Sequence, residues 1–398
     1  MSKASAITEW LGIRDLDAAL PLVMLSGAIV FCWTMPAAII PVEALRHLGN
    51  AQAVSVLFFV WGLTGILGAM LIPFIVHRLG RRAVFILGVI SVLSGSVMLA
   101  LQTLPLLIAG SALRVFGFLC VEIVLEIIVM ERIPKRRLAR FESVRMFSLG
   151  CGLVVGPWLG AAMASRLAFW SPFALLIAVM LLVALYTLRS RLARSLEATG
   201  NSSQAPNPLR FVRRFCQQPR LRLAWLLALA RSSWWNMFFI YSPIYCVQAG
   251  LGTESAGAIL SIGSAAILLT PLYGRIGALI GVRLLLAIGY GATGIATLLV
   301  AIFANTTWAG IGFLLTAAAC VAIIEAVGNA LFLRSARTRE RAEMTAVFMT
   351  YREVAMFGPP GIFAVVLNVF ALPAVFAVSG ASMALMVFFT RYIPRKFR

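Results

Sequence analysis

Acidic residues are scarce in this chain, with 14 Asp and Glu among 398 residues against 34 Lys and Arg. Histidine is scarcer still. His47 and His77 are the only two, no H-E-x-x-H run occurs, and the serines lack a nearby histidine, so zinc hydrolysis and triad chemistry have no residues to work with. The six cysteines (Cys32, Cys120, Cys151, Cys216, Cys246 and Cys320) contain no CxxC pair, and all but Cys216 lie in apolar runs. They read as buried free thiols, which argues against a zinc site or a disulfide framework. Walker and dinucleotide loops are missing too, and with them any basis for a bound nucleotide or other cofactor. Ten-residue segments of alternating polarity are absent, which excludes an outer-membrane barrel. The first seventeen residues carry Glu9, Asp15 and Asp17 and no cleavage-type end. The first apolar run is therefore expected to stay as an anchor.

What the chain does have is apolar length. It is 61% hydrophobic and only 12% charged, with a mean hydropathy of +0.97, a composition that belongs to a polytopic membrane protein and not to a soluble enzyme. A helix needs about 20 apolar residues to cross roughly 30 Å of hydrocarbon. Twelve such runs are predicted, at 18–41, 53–76, 83–101, 104–128, 144–165, 168–188, 223–247, 255–274, 282–303, 308–332, 344–368 and 371–391. The formal charge of +20 invites a nucleic-acid reading, which fails once the charges are placed. They fall in every second loop: Arg78, Arg81 and Arg82; Arg132, Lys135, Arg136, Arg137 and Arg140; the segment after Leu188; Arg275 and Arg283; Arg334, Arg337, Arg339 and Arg341. The opposite loops hold Arg46 and Arg166. This asymmetry predicts an integral protein of a bacterial inner membrane with both termini in the cytoplasm.

Residues 189–221 form the one long polar connection, rich in arginine around Gly-Asn-Ser-Ser-Gln-Ala-Pro-Asn-Pro. It divides the chain into an N-terminal six-helix bundle (1–188) and a C-terminal one (222–398), and it suits a cytoplasmic linker whose arginines rest on anionic headgroups. Asn201-Ser-Ser matches a glycosylation sequon, but on the cytoplasmic side it has no use. The halves echo one another. Leu79-Gly80-Arg81-Arg82 has Ile280-Gly281-Val282-Arg283 at the matching place, Cys120 to Glu126 has Cys320 to Glu325, and Gly156-Pro157-Trp-Leu-Gly160 has Gly358-Pro359-Pro360-Gly361. Internal repeats with a site between them are a transporter's signature.

Twelve spans in two halves, a long central loop and the run His77-Arg78-Leu79-Gly80-Arg81-Arg82 resemble the major facilitator superfamily over essentially the whole chain. That family's loop signature is approximately G-x-x-x-D-R-x-G-R-R. Here Pro73 stands in place of the first glycine and His77 in place of the aspartate. The resemblance implies an all-α fold of two pseudo-symmetric six-helix bundles and alternating access, and it gives His77, Arg78, Gly80, Arg81 and Arg82 a gating role, with Glu131 and Arg132 beside them. Gly152, Gly156, Pro157 and Gly160, followed by Ala161, are similar to the fifth-span antiporter signature G-x-x-x-G-P-x-x-G-G. With Gly358 and Pro359 they are expected to let their helices bend, and they tilt the reading toward efflux. Arg114 is similar to the family's fourth-span arginine, with Gly117 one residue early. The family's first, fourth, seventh and tenth spans surround its central cavity.

Ionisable groups inside apolar spans cost several kcal/mol each, and by default they mark a pathway. Arg114, Glu122 and Glu126 fall on the fourth run, Arg231 on the seventh and Glu325 on the tenth. Arg114 and Arg231 lie about 15 Å and about 14 Å from their helix ends, near the midplane where alternating-access sites are found. Glu122 and Glu126 are four apart on one face, so their charges repel and the apolar surroundings disfavour ionisation. Glu122, Glu126 and Glu325, with Arg114, are the candidates for proton coupling. The competing reading is structural: ion pairs with Arg114, Arg145, Arg231 or Arg352, four arginines balanced by four glutamates once Glu353 is counted. Trp234, Trp235, Asn236 and Tyr241 adjoin Arg231 and would suit a flat ligand with an anionic group; Asn329 is a further polar candidate. At the gate, Arg81, Arg82 and Arg132 are expected to face Glu131 and Glu142.

These features predict a monomeric proton-driven exporter of a small amphipathic or anionic organic compound, with protons and lipids as partners and no nucleic acid or metal. An importer or facilitator of a small metabolite or metal chelate fits the same spans. So does a non-transporting receptor or assembly factor.

Overall fold

The computed structural model describes residues 16–133, 138–190, 192–197, 208–335 and 341–393. Lys135, Arg136, Arg137, Arg337 and Arg339 of the predicted basic loops, the sequon at Asn201 and the terminal five residues lie outside them, as do the side chains of Arg140, Arg334 and Arg341. Among the described residues the protein is built from helices.

Each predicted run falls on one long helix or on a helix interrupted by a short break. Nine helices, among the described residues, are long and apolar enough to cross a membrane. The others, Leu104–Arg132, Pro219–Gln248 and Arg341–Val366, are 29, 30 and 26 residues long and carry Arg114, Glu122, Arg231 and Arg352. Below, helices are numbered as spans in chain order, with Leu104–Arg132 the fourth. The side of the bundle that bears the connecting segment is called the linker side.

Three predicted runs differ in detail, each for a local reason. The first breaks into Leu16–Thr34 and Ile39–Leu48, because Pro36 cannot donate to the helical ladder. The eighth passes through a 3-10 turn at Ala266–Leu269 before continuing as Thr270–Ile280, with Pro271 at its start. The tenth ends at Val327, and the chain turns at Gly328 and Asn329 into Ala330–Ser335. A Cβ on Gly328 would overlap the Arg231 guanidinium, so this turn is shaped around a buried cation.

Gly80 and Gly281 end the second and eighth spans with φ of +82° and +91°, a backbone that side chains other than glycine's rarely adopt. The sequence echo between the halves is thus also an echo of conformation.

Small residues decide how closely the fifth helix, Leu138–Arg166, approaches its neighbours. A Cβ on Gly152 would lie 2.9 Å from the Phe31 nitrogen, and one on Gly156 or Gly160 would run into Thr34 or the Met35 carbonyl. The opposite side of this helix meets the eighth span, where a Cβ on Gly257 would lie 2.6 Å from the Pro157 carbonyl and 2.5 Å from the Ala161 Cβ. The mirrored seam joins the second and eleventh spans, with Gly62 against Phe357 and Gly361 against the Phe59 ring. Both helices continue through their prolines. What the geometry shows for these motifs is close approach, the ordinary use of small residues between membrane helices.

Thiols follow the expected pattern in part. All are free; Cys32, Cys120 and Cys246 are buried, whereas Cys151 is exposed together with Cys216. Cys151 lies outward because its neighbours Gly150 and Gly152 take the inward contacts.

Candidate functional site

A cavity of about 190 Å³ lies between the two sets of spans. Trp33, Phe58, Trp61, Ser111 and Arg114 line it from the first set, and Asn236, Phe239 and Met356 from the second. Arg114 is 4% exposed. Its Nη2 donates to the Trp33 carbonyl at 2.7 Å, and its guanidinium lies 5.2 Å from the Trp33 ring centroid and 5.3 Å from that of Phe118. Contacts of this kind are worth about 2 kcal/mol each when desolvated, which offsets part of the burial cost. Among the described residues no carboxylate comes within 4.0 Å of Arg114, and its Nε has no hydrogen-bond partner. The fourth helix therefore puts an uncompensated positive charge into an aromatic cavity.

Glu122 sits two turns further along that helix and about 15 Å from its linker-side end. It lies deep in the bundle yet is reached by solvent, as is Arg352 of the eleventh span. Among the described residues Glu122 has no ion-pair partner within 4.0 Å; Arg352 is its strongest electrostatic neighbour, from across the interface. Arg352 interacts with Glu325 as well. One Glu353 carboxylate oxygen is buried without a partner, in the fields of Glu122 and Arg352.

The other predicted carboxylates are engaged. Glu126 pairs with Arg145, which also holds Glu142 at 3.0 Å. Glu325 pairs with Arg231, Nε to Oε2, at 3.1 Å. Arg231 is 2% exposed, while the Glu325 side chain keeps 32% of its surface. The Nη2 of Arg231 donates to Asn329 Oδ1 and to the Tyr351 hydroxyl, each at 3.2 Å. Arg231 and Asn329, expected at the ligand, are thus parts of an internal ion-pair web.

The aromatic run on the seventh helix divides between core and cavity. Asn236 faces the cavity while donating to the Ser232 carbonyl at 3.0 Å. Trp234 is buried, donating to Thr297 Oγ1 at 2.9 Å and stacking on Phe238. Trp235 packs edge-on against Trp234 and Phe238. Tyr241 is sealed against the second span, its hydroxyl 2.6 Å from Ser55 Oγ. Of the rings that do line the cavity, Phe239 belongs to the seventh-helix aromatic run, whereas Trp33, Phe58 and Trp61 were not among the sequence candidates. Position on the first and second spans beside Thr34 and Gly62 was the only available signal.

At the linker side, Arg81 grips Glu131 through both nitrogens at 2.7 Å, as expected. Arg82 reaches Glu197 at 2.7 Å, and Arg132 donates to Ser195 Oγ at 2.8 Å. Ser195 and Glu197 belong to the short connecting helix Ala193–Glu197, so these charges moor the linker to the first set of spans. Glu142 turns to Arg145 instead. Arg78 lies 4.6 Å from the Phe74 ring centroid, and His77 is exposed. Cross-interface side-chain ties gather away from the linker: Arg166 to Glu254, Ser165 to Glu254, Ser55 to Tyr241, and Ser261 accepting from the Trp158 amide at 2.9 Å.

Two sets of spans enclosing a charged, aromatic chamber at mid-depth define a membrane carrier, an integral multi-pass protein. The Major Facilitator Superfamily pattern matches residues 22–360, and the chain belongs to that family. Similar solved structures include a POT family transporter in complex with 5-aminolevulinic acid (TM-score 0.74, 13% identity, 93% of this chain and 94% of the other). A D-xylose-proton symporter (0.72, 14%, 95% and 97%) and a peptide transporter POT in complex with sulfate (0.70, 15%, 94% and 94%) are also similar. At these identities the likeness is one of fold. A search of curated protein sequences found no match.

Proposed function

We propose that this transporter exports a small amphipathic or anionic organic compound in exchange for protons, with residues 1–188 and 222–398 rocking about the central cavity. One observation carries the reading: a single helix presents an uncompensated arginine to an aromatic cavity and, two turns on, an unpaired carboxylate to solvent. The arginine takes the substrate's charge. The carboxylate takes the proton. In this scheme protonation of Glu122 removes its attraction for Arg352, weakening the pull between the two units as the site turns outward. Proton loss to the cytoplasm restores that attraction and prepares the next capture. Glu325, held by Arg231, is the secondary candidate. The antiporter-like order Gly152, Gly156, Pro157, Gly160 supports export, and the linker arginines support cytoplasmic termini.

The test is proton flux in liposomes containing a pH-sensitive dye, with organic anions, cations and neutral analogues added on one side. Proton movement opposite to the substrate, lost in Glu122→Gln, is the expected result. Co-directional movement would instead establish import, a reading favoured by the likeness to a D-xylose-proton symporter. Absence of both proton flux and substrate counterflow would overturn the carrier mechanism.

A further inference from the structure

About half of the buried helical hydroxyls among the described residues bond back to their own helix. Ser26, Ser55, Ser96 and Thr187 each donate to the carbonyl four residues earlier at 2.7 to 2.9 Å. Ser111 is 4% exposed and its hydroxyl has no partner. Ser242 and Ser264 share that condition but do not line the cavity; Ser111 does. It stands three residues before Arg114, on the same helical face. The two residues that carry these orphaned polar groups, Ser111 with its hydroxyl and Arg114 with its Nε, thus line one chamber from neighbouring turns.

We infer that Ser111 and Arg114 form the binding point for a small monocarboxylate with a flat apolar body. Leaving either group unpaired in an apolar site is costly, and one ligand carrying two oxygen acceptors satisfies both. A guanidinium packed beside the edge-to-face pair of Trp33 and Phe118 and tied to the Trp33 carbonyl is held in orientation, which suits a carboxylate more than a spherical ion. Charge sets the valence. Arg114 has no carboxylate partner among the described residues, so a single negative charge neutralises the chamber, a dianion overfills it and a cation is repelled. Size sets the body, since about 190 Å³ is below the roughly 300–1,000 Å³ of sites for drug-sized ligands, and Trp33, Phe58 and Trp61 supply its walls.

The inference takes from the carrier reading only that this cavity lies on the substrate's path. Its test is therefore equilibrium binding, independent of flux. Calorimetric titration of the full chain in nanodiscs, with benzoate, benzamide, benzylamine and phthalate as probes, is expected to rank benzoate first, at least about tenfold above benzamide. Ser111→Ala should weaken benzoate about tenfold and leave benzamide unchanged; Arg114→Gln should abolish the preference. Benzoate binding no tighter than benzamide, or benzoate affinity unaltered in Ser111→Ala, overturns the assignment. Should Arg114→Gln fail to fold, the probe series and Ser111→Ala decide alone. Benzoate preference without proton flux would sink the coupling proposed above and leave this site standing, whereas flux without the preference would sink only the site.

Discussion

Glu122 and Glu325 look alike in the sequence, yet neutralising each should give opposite phenotypes. Glu325→Gln removes the only carboxylate that pairs with Arg231 among the described residues. Breaking a buried pair from one side costs about 3–5 kcal/mol, because the remaining ion is left uncompensated. Solvent reaches 32% of the Glu325 side chain, and Asn329 and Tyr351 still accept from Nη2, so a smaller loss than for a fully buried pair, about 2–3 kcal/mol, is expected here. Glu122 has no ion-pair partner among the described residues and is open to solvent, so Glu122→Gln should change stability by less than about 0.5 kcal/mol. Unfolding in mixed micelles measures both, and a double-mutant cycle with Arg231→Gln isolates the pair: a coupling of about 2 kcal/mol with Glu325 and none with Glu122. Proton-coupled flux should divide the other way, lost in Glu122→Gln while the protein stays folded. If Glu122→Gln proved as destabilising as Glu325→Gln, or if proton coupling survived it, the division into a structural and a functional carboxylate would be wrong.

Three further outcomes are expected. Tyr241→Phe removes the hydroxyl that donates to Ser55, itself already bonded to the Ala51 carbonyl; a loss of about 1 kcal/mol in micellar unfolding checks it. Glu254→Gln cuts the Arg166 tie across the interface; stability should hardly change, but a cysteine placed at Ser55 should label faster from the side away from the linker, and equal labelling would show that the tie does not restrain that side. Glu197→Ala frees Arg82 without disturbing the Arg81–Glu131 pair; trypsin should then cut the connecting segment faster, with stability altered by less than about 1 kcal/mol.

Much of the architecture was legible because the bilayer imposes length and charge placement on the chain. Apolar runs marked the helices, and Leu79-Gly80-Arg81-Arg82 with the fifth-span glycines marked the family. The site was legible only where a charge could not be hidden: Arg114, Glu122, Arg231 and Glu325 stood out, but their partners did not. Arg231 meets Asn329 across 98 residues and Ser55 meets Tyr241 across 186. Such meetings depend on how each helix is rotated, and a helix that is apolar all round gives no periodicity from which rotation can be read. For that reason Trp234 and Tyr241 looked like ligand walls although they are packed away, while Trp33 and Trp61, which line the cavity, were not picked out. Ser111 was invisible because its significance is a missing bond, and missing bonds leave no trace in composition.

The fifth helix has glycines pressed against its own set of spans on one face and a glycine from the other set pressed against it on the opposite face. In the rocking scheme proposed above, tightness that is permanent and tightness that must slide would fall to different sides of one rod. Extra bulk at Gly156 or Gly160 attacks a weld, and its toll falls on how much protein reaches the membrane. A methyl at Gly257 roughens a bearing, so its toll falls on turnover in a carrier that is otherwise present and intact.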